Sequence, residues 1–354
     1  MRVLLDAHQL GRRQTGNETY VRELLTALRE FPDVEIVAAV EGDPHPTGPL
    51  ASPVRLRRVP RNGLARLAAL SLVAHGARVD LLHAVYFLPA FVGRPSVVTI
   101  HDISFEQHPE FFSRRSLLRD RFLIRDAARR ASRVITVSET SRRDLIELWG
   151  VPADRVVAIH NGIDAIFCPG PDAPGEGSLD PLRVLAVGTL QPRKNLGRLF
   201  DAVAIVARNR RVLLRVVGPD GYQAEAIRAR LAGRAEAEVL GYVDRAALAD
   251  EYRRAHLLAY PSLYEGFGLP VVEAMASGTP VVTTTGGSLP EVAGDATLIV
   301  DPLDVSAIAG AIERVADDGA LRAELRSRGL ERARAFSWAT AARRHVETYA
   351  SLLG

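Results

Sequence analysis

The feature that most restricts what this chain can become is a rhythm. Short apolar, β-branched runs alternate with amphipathic stretches, and the alternation starts afresh halfway along. RVLLDA (2–7) opens as a strand, and Asn17 to Arg29 follows as a helix with Tyr20, Val21, Leu24, Leu25 and Leu28 spaced by three and four. VEIVAAV, DLLHAV, SVVTIHD, RVITVS and RVVAIHN continue the series. They are nearly continuous in apolar character, as parallel strands covered on both faces must be. Residues 168–181, CPGPDAPGEGSLDP, then hold four prolines and three glycines without periodicity and read as a linker. Beyond it come RVLAVG, a helix from Leu196, RVLLRVVG, AEVLGYV, HLLAYPS, TPVVTT and ATLIVDP. The pattern predicts an α/β protein of two Rossmann-like, doubly wound domains. Their expected extents are 1–166 and 182–335, with a linker at 167–181. A wholly helical tail carries FSW, and its last segment, 336–354, is expected to pack back on the first domain. A length of 354 residues suits two cores better than one.

Composition excludes several classes. With 47% hydrophobic and 25% charged residues the chain is an ordinary globular one. A single cysteine, Cys168, allows no intrachain disulfide and fits a reducing compartment. The opening MRVLLDA lacks the layout of a secretory signal, and no uncharged apolar run approaches the ~18 residues of a membrane span. The expectation is a cytoplasmic protein. A net charge of +3 gives no reason to expect nucleic acid as a partner. The charge is nevertheless uneven. From Phe112 to Arg133 eight arginines face only Asp120 and Asp126. That run reads either as a solvated helix face or as a patch for anionic lipid head groups or an anionic acceptor, the latter implying peripheral contact with the inner face of a membrane.

Chemistry concentrates in two strings. In PSLYEGFGLPVVEAMASGTPVV (261–282), a loop of Glu265, Gly266, Phe267, Gly268 and Leu269 leads into a helix that Pro270 can begin. Its first amides form an anion site. Glu265 before the helix and Glu273 on it can flank one polyhydroxylated ligand. In GTLQPRKN (188–195), Gly188 and Thr189 follow a strand directly, and Asn195 is the expected N-cap of the next helix. Arg193 and Lys194 therefore sit at the carboxyl edge of a parallel sheet, where two cations suit a departing diphosphate. Gly16 and Asn17, between the first strand and first helix, and His101, closing SVVTIHD, hold the matching edge of the first domain. The turn at Gly286–Glu291 is a second start whose amides suit a diphosphate. There is no D-x-D pair, no zinc spacing and no G-x-S-x-G elbow.

EGFGLPVVEA, GTLQPRKN, VSETSRRDL, HNGID and the FSW tail together resemble the retaining glycosyltransferases of family 4, with the GT-B fold of two domains facing a central cleft. The resemblance covers most of the chain. It implies an enzyme that moves a sugar from a nucleotide diphosphate donor without metal or cofactor. It further implies that Glu265 contacts the transferred sugar, Glu273 the ribose and Lys194 the diphosphate, that a glycine-rich loop at Gly16 approaches the phosphates, and that His101 touches the sugar. The family often carries arginine where this chain has Thr189, and Arg193 is expected to take that place. The string TLQPRKN is similar to those of mannosyltransferases using GDP-mannose, and a UDP-sugar is the near alternative. The acceptor, whether glycan, lipid-linked or small molecule, is not legible. Two other readings have marks of their own. An NAD-dependent oxidoreductase needs the G-x-G-x-x-G fingerprint, which is missing. An idle nucleotide-sugar-binding scaffold is expected to have lost Glu265, Lys194 or Glu273, and all three are present.

Overall fold

The computed structural model describes residues 1–12, 15–41, 54–170 and 179–354. They form two compact units. The first comprises Met1–Pro109, Ser113–Gly162 and Ser337–Gly354, and the second Glu110–Phe112 and Ile163–Phe336. The change of unit falls at Gly162–Ile163, ahead of the Pro/Gly-rich stretch. Residues 167–170 and 179–181 count with the second unit, and 171–178 lie outside the described residues.

The first unit is built on seven parallel strands: β1 (Arg2–Asp6), β2 (Glu35–Glu41), β3 (Arg55–Val59), β4 (Leu81–Val85), β5 (Ser96–Thr99), β6 (Arg133–Thr136) and β7 (Val156–Ala158). Their order is β3-β2-β1-β4-β5-β6-β7. The inner strands are buried almost throughout, which explains their apolar spelling. The edge strand β3 is different. RLRRV exposes its first four residues, and because it lacks the apolar signature the sequence pattern passes over it. The first helix runs Thr15–Leu28 and buries Val21, Leu24 and Leu28 on the sheet.

The C-terminal helix, Trp338–Ala350, lies against that first helix and puts Trp338, Ala342 and Tyr349 into the same core. Ser337 caps it, its hydroxyl accepting from the Thr340 amide. Beneath it runs a buried chain of polar groups whose direction can be read. His345 Nδ1 must donate to the Ala341 carbonyl, 2.7 Å away, so Nε2 accepts from Tyr20 at 2.9 Å. Tyr20 in turn accepts from Thr99 at 2.8 Å, and Thr99 from His83 Nε2 at 2.7 Å. His83 Nδ1 is then left to accept from Tyr349. Both histidines are therefore neutral, and burial holds them below the ordinary histidine range.

The second unit has β8 (Leu182–Val187), β9 (Val212–Val217), β10 (Ala237–Gly241), β11 (Leu257–Tyr260), β12 (Val281–Thr284) and β13 (Leu298–Val300), all parallel, in the order β10-β9-β8-β11-β12-β13. From β8 the chain first winds outward through β9 and β10, then returns to β11 beside β8 and winds the other way. The topological switch point thus lies between β8 and β11, the place where doubly wound sheets bind ligands. Among the described residues no helix is long and apolar enough to cross a membrane.

Candidate functional site

The switch point of the second sheet gathers the residues of both chemical strings. β8 ends at Val187. Gly188 then takes φ +141°, and a Cβ on it would stand 2.8 Å from Lys194 Cε, so glycine makes room for the lysine stem. A 3-10 turn, Pro192–Lys194, brings Arg193 and Lys194 over the carboxyl end of β11. Asn195 does not cap the helix Leu196–Val206 as expected. It adopts the left-handed conformation with no capping bond, and its Nδ2 donates instead to the carbonyls of Pro261 (3.0 Å) and Pro302 (2.7 Å). The asparagine therefore ties the β8 loop to the β11 loop, a long-range role that local spacing cannot reveal.

Glu265 sits at the centre. Arg193 Nη1 donates to Oε2 and Lys194 Nζ to Oε1, both at 2.6 Å, and the Tyr260 hydroxyl reaches Oε1 at 2.9 Å. Lys194 Nζ also donates to the Tyr260 oxygen at 2.6 Å, and Arg193 Nη1 to the Tyr264 carbonyl at 2.6 Å. Burial alone would raise the Glu265 pKa, but the charges of Arg193 and Lys194 outweigh it and bring the group to about 2. The carboxylate is thus permanently ionised, buried and fixed by three donors. The cluster carries a surplus of one positive charge and lies beside a helix N-terminus, a combination that attracts an anion.

Behind the loop stands the turn at Gly286–Ser288. The Ser288 amide and hydroxyl bond the Glu265 carbonyl at 2.9 and 3.0 Å, and a Cβ on Gly287 would come within 2.4 Å of that oxygen. The Ser288 amide is thereby occupied. This turn supports the Glu265 loop.

The helix Leu269–Ala276 starts at Gly268, whose φ of +98° suits only glycine, with Pro270 at its second position. Gly266 and Phe267 are buried in the loop, Phe267 edge-on to Phe336 at 5.6 Å, and Leu269 is half-buried. One helical turn on, Glu273 is buried and receives the Tyr252 hydroxyl on Oε2 at 2.8 Å. Burial raises its pKa to about 7, against the opposing Tyr252 hydrogen bond and the Arg245 charge. The two glutamates are chemically unlike: one is locked as an anion, the other holds a proton near neutrality. Thr189 follows Gly188 and is half-buried.

Tyr260 and Tyr252 are the functional-site residues that sequence reasoning missed. Tyr260 reads as one more apolar letter of HLLAYPS, and Tyr252 as the buried stripe of a helix. The only signal was a hydroxyl at a position that must be buried, at the carboxyl edge of β11 for Tyr260 and on the inner face of the helix Arg245–Arg254 for Tyr252, which requires a partner.

In the first unit, Gly16 and Asn17 lie in the first turn of the helix Thr15–Leu28. Gly16 has neither a left-handed backbone nor any described atom within 4 Å of where a Cβ would stand, so the fold itself does not demand glycine there. His101 lies two residues past β5, with its ring edge-on to Tyr20 (4.7 Å) and Tyr86 (5.4 Å). Burial lowers its pKa to about 4, so the imidazole is neutral, and its buried Nε2 has no hydrogen-bond partner among the described residues.

Comparison with known proteins bears on this geometry. Residues 174–332 match the family model described as "Glycosyl transferases group 1", and residues 15–167 match "Glycosyltransferase Family 4". The chain is 33% identical over 276 residues to O-antigen chain mannosyltransferase B of Escherichia coli, covering 75% of this chain and 72% of that one. It is 28% identical to the MMP alpha-(1->4)-mannosyltransferase of Mycolicibacterium hassiacum, over 99% and 98% of the two chains. Among solved structures, sucrose-phosphate synthase from Thermosynechococcus elongatus superposes with a TM-score of 0.81 at 24% identity, over 99% of this chain and 98% of that one. Anabaena HepE in complex with UDP-glucose gives 0.78 at 23%, over 99% and 100%. The structural likenesses establish the GT-B plan of two Rossmann-like domains, and the sequence matches establish the rest: this chain is a glycosyltransferase and belongs to family 4.

Proposed function

We propose that the protein is a retaining, metal-independent mannosyltransferase whose donor is a nucleoside diphosphate mannose bound at the β8–β11 switch point. The observation that carries this reading is the Arg193–Lys194–Glu265 cluster: two cations and one locked carboxylate on a helix N-terminus. Lys194 and Arg193 hold the diphosphate, and their charge stabilises the negative charge that grows on it as it leaves. Glu265 accepts hydrogen bonds from the sugar. Glu273 takes the ribose hydroxyls, with Oε2 already steadied by Tyr252. Gly16, Asn17 and His101 are assigned to donor contact on the resemblance and on two local observations among the described residues, no atom within 4 Å of where a Gly16 Cβ would stand and no hydrogen-bond partner for His101 Nε2.

In the transfer, the bond from the anomeric carbon to the phosphate oxygen breaks and its electron pair leaves with the diphosphate. The acceptor hydroxyl oxygen bonds the same face of that carbon, and its proton passes to the departing phosphate. No protein nucleophile is needed. Mannose is favoured by the mannosyltransferases among the relatives, and GDP by the likeness of TLQPRKN to GDP-mannose enzymes. The UDP-glucose in HepE marks a UDP-sugar as the competing donor. The acceptor is a hydroxyl of a glycan or of a lipid-linked or small sugar-like molecule. A panel of GDP- and UDP-sugars, offered with glycoside acceptors and read by mass spectrometry, tests the assignment. Turnover of GDP-mannose is expected, and turnover confined to a UDP-sugar overturns the donor.

A further inference from the structure

The first sheet has a switch point of its own. From β1 the chain winds outward through β2 and β3, then returns to β4 beside β1. The loop after β1 therefore stands where a doubly wound sheet binds a ligand, as the β8 loop does in the second unit. That loop is held in place at several points. The Ala7 amide donates to the Ala39 carbonyl (2.8 Å), the Leu10 amide to the Ala7 carbonyl (3.1 Å), and the Gly11 amide to Glu18 Oε1 (3.0 Å). Its cation, Arg12, is engaged by Glu41.

A carboxylate and an imidazole meet here, and the transfer chemistry above uses neither. Asp6, the last residue of β1, is wholly buried, and its Oδ1 lies 2.9 Å from His8 Nδ1. An ionised carboxylate only accepts, so Nδ1 carries the proton, and in the neutral ring Nε2 presents a lone pair. Nε2 has no hydrogen-bond partner among the described residues, and the His8 side chain keeps 7% of its exposure. In the same loop, Asp6 Oδ2 and Gln9 Oε1 are buried and also without partners among the described residues. Buried polar groups ordinarily have partners, and an apolar pair of the same shape would serve packing as well. His8 Nε2, Asp6 Oδ2 and Gln9 Oε1 are all acceptors, so the ligand that completes this loop brings hydroxyl donors. An anionic group would meet acceptors only, beside a buried carboxylate that repels it.

We propose that His8 accepts a hydrogen bond from a hydroxyl of the acceptor, with Asp6 as the positioning residue that fixes its ring, and that the sugar bound here is a neutral glycoside rather than a phosphorylated one. Calling that sugar the acceptor rests on the transferase reading, but its binding does not. Saturation-transfer NMR of the purified full chain with methyl α-D-mannopyranoside, methyl α-D-glucopyranoside and mannose 6-phosphate reads binding without turnover. A neutral glycoside is expected to bind the native chain, to bind His8→Ala roughly fivefold or more weakly, and to regain part of that in His8→Gln, whose side-chain oxygen accepts at a similar reach. Its signal should persist in Glu265→Gln. The orientation of the ring is read separately, by ¹⁵N–¹H correlation of the imidazoles, with the His8 signal identified by its absence in His8→Gln. The native ring is expected to carry its proton on Nδ1, and Asp6→Asn to mix the two tautomers, because an amide both donates and accepts. Several results overturn the proposal: no neutral glycoside bound by the native chain, equal binding by native and His8→Ala, tighter binding of mannose 6-phosphate, a signal lost in Glu265→Gln, which places the glycoside with the donor, or a native His8 protonated on Nε2. Failure of the transferase reading looks different. Every nucleotide sugar would then go unconsumed while glycoside binding still depended on His8.

Discussion

Glu265 and Glu273 are eight residues apart in sequence, yet the fold gives them opposite protonation chemistry. Glu265 has three donors and stays ionised, so in the proposed reaction it is a rigid acceptor for hydroxyl groups whose polarity rises as the sugar flattens toward an oxocarbenium-like state. Glu265→Gln is expected to lower kcat roughly a hundredfold or more, while calorimetry shows nucleoside diphosphate affinity little changed, because an interaction gained in the transition state appears in kcat. Unaltered turnover would remove Glu265 from the reaction. Glu273 holds its proton to about pH 7 in the free enzyme, against an ordinary glutamate value of 4.5. The folded state therefore binds more protons than the unfolded one in that window. The stability contributed by this raised pKa is fully present below about pH 4.5 and is lost as pH rises through about 7. Ribose hydroxyls donating to the carboxylate favour its ionised form, so nucleotide binding should release protons and tighten between about pH 6 and pH 8. Calorimetry in buffers of different ionisation enthalpy measures that release. In Glu273→Gln the release attributable to the site should vanish, and affinity should fall by about 1.5–3 kcal/mol. Release identical in both proteins would contradict the assignment.

The strands were legible because a parallel strand buried on both faces must be apolar along its length. β3 was not, since an edge strand owes its RLRRV spelling to solvent. Both glutamates and both cations were legible from their places beside glycine, proline and strand ends. Tyr260, Tyr252 and the true work of Asn195 were not, because each acts on a residue far away in sequence. The glycine of HNGID belongs with these. A Cβ on Gly162 would stand 2.1 Å from the Trp338 nitrogen and 2.5 Å from Trp338 Cγ, a collision with the first turn of the C-terminal helix. Gly162→Ala is therefore expected to lower the stability of the first unit by about 1–3 kcal/mol, the range for overpacking a close contact. Urea denaturation followed by tryptophan fluorescence checks this, and an unchanged midpoint would show that the helix yields without cost.

At the scale of the whole molecule, two doubly wound units are a plan shared by many chemistries, and the donor-site cluster is what distinguishes this one. In the proposed reaction Arg193, Lys194 and a helix N-terminus take the electrostatic task that other transferases give to a metal ion, so the rate in EDTA is expected to equal that in Mg²⁺. A rate that collapses on chelation and returns with Mg²⁺ or Mn²⁺ would contradict that division of labour. The central claim, transfer of a mannosyl group from a nucleoside diphosphate with retention by this cluster, is tested most directly by proton NMR of the anomeric signal while the enzyme consumes GDP-α-mannose in EDTA. Slow hydrolysis without acceptor suffices. The account predicts that α-mannose appears first and mutarotates later, and that Lys194→Ala abolishes the signal. First release of β-mannose, or no consumption of the donor by the native chain, would contradict it.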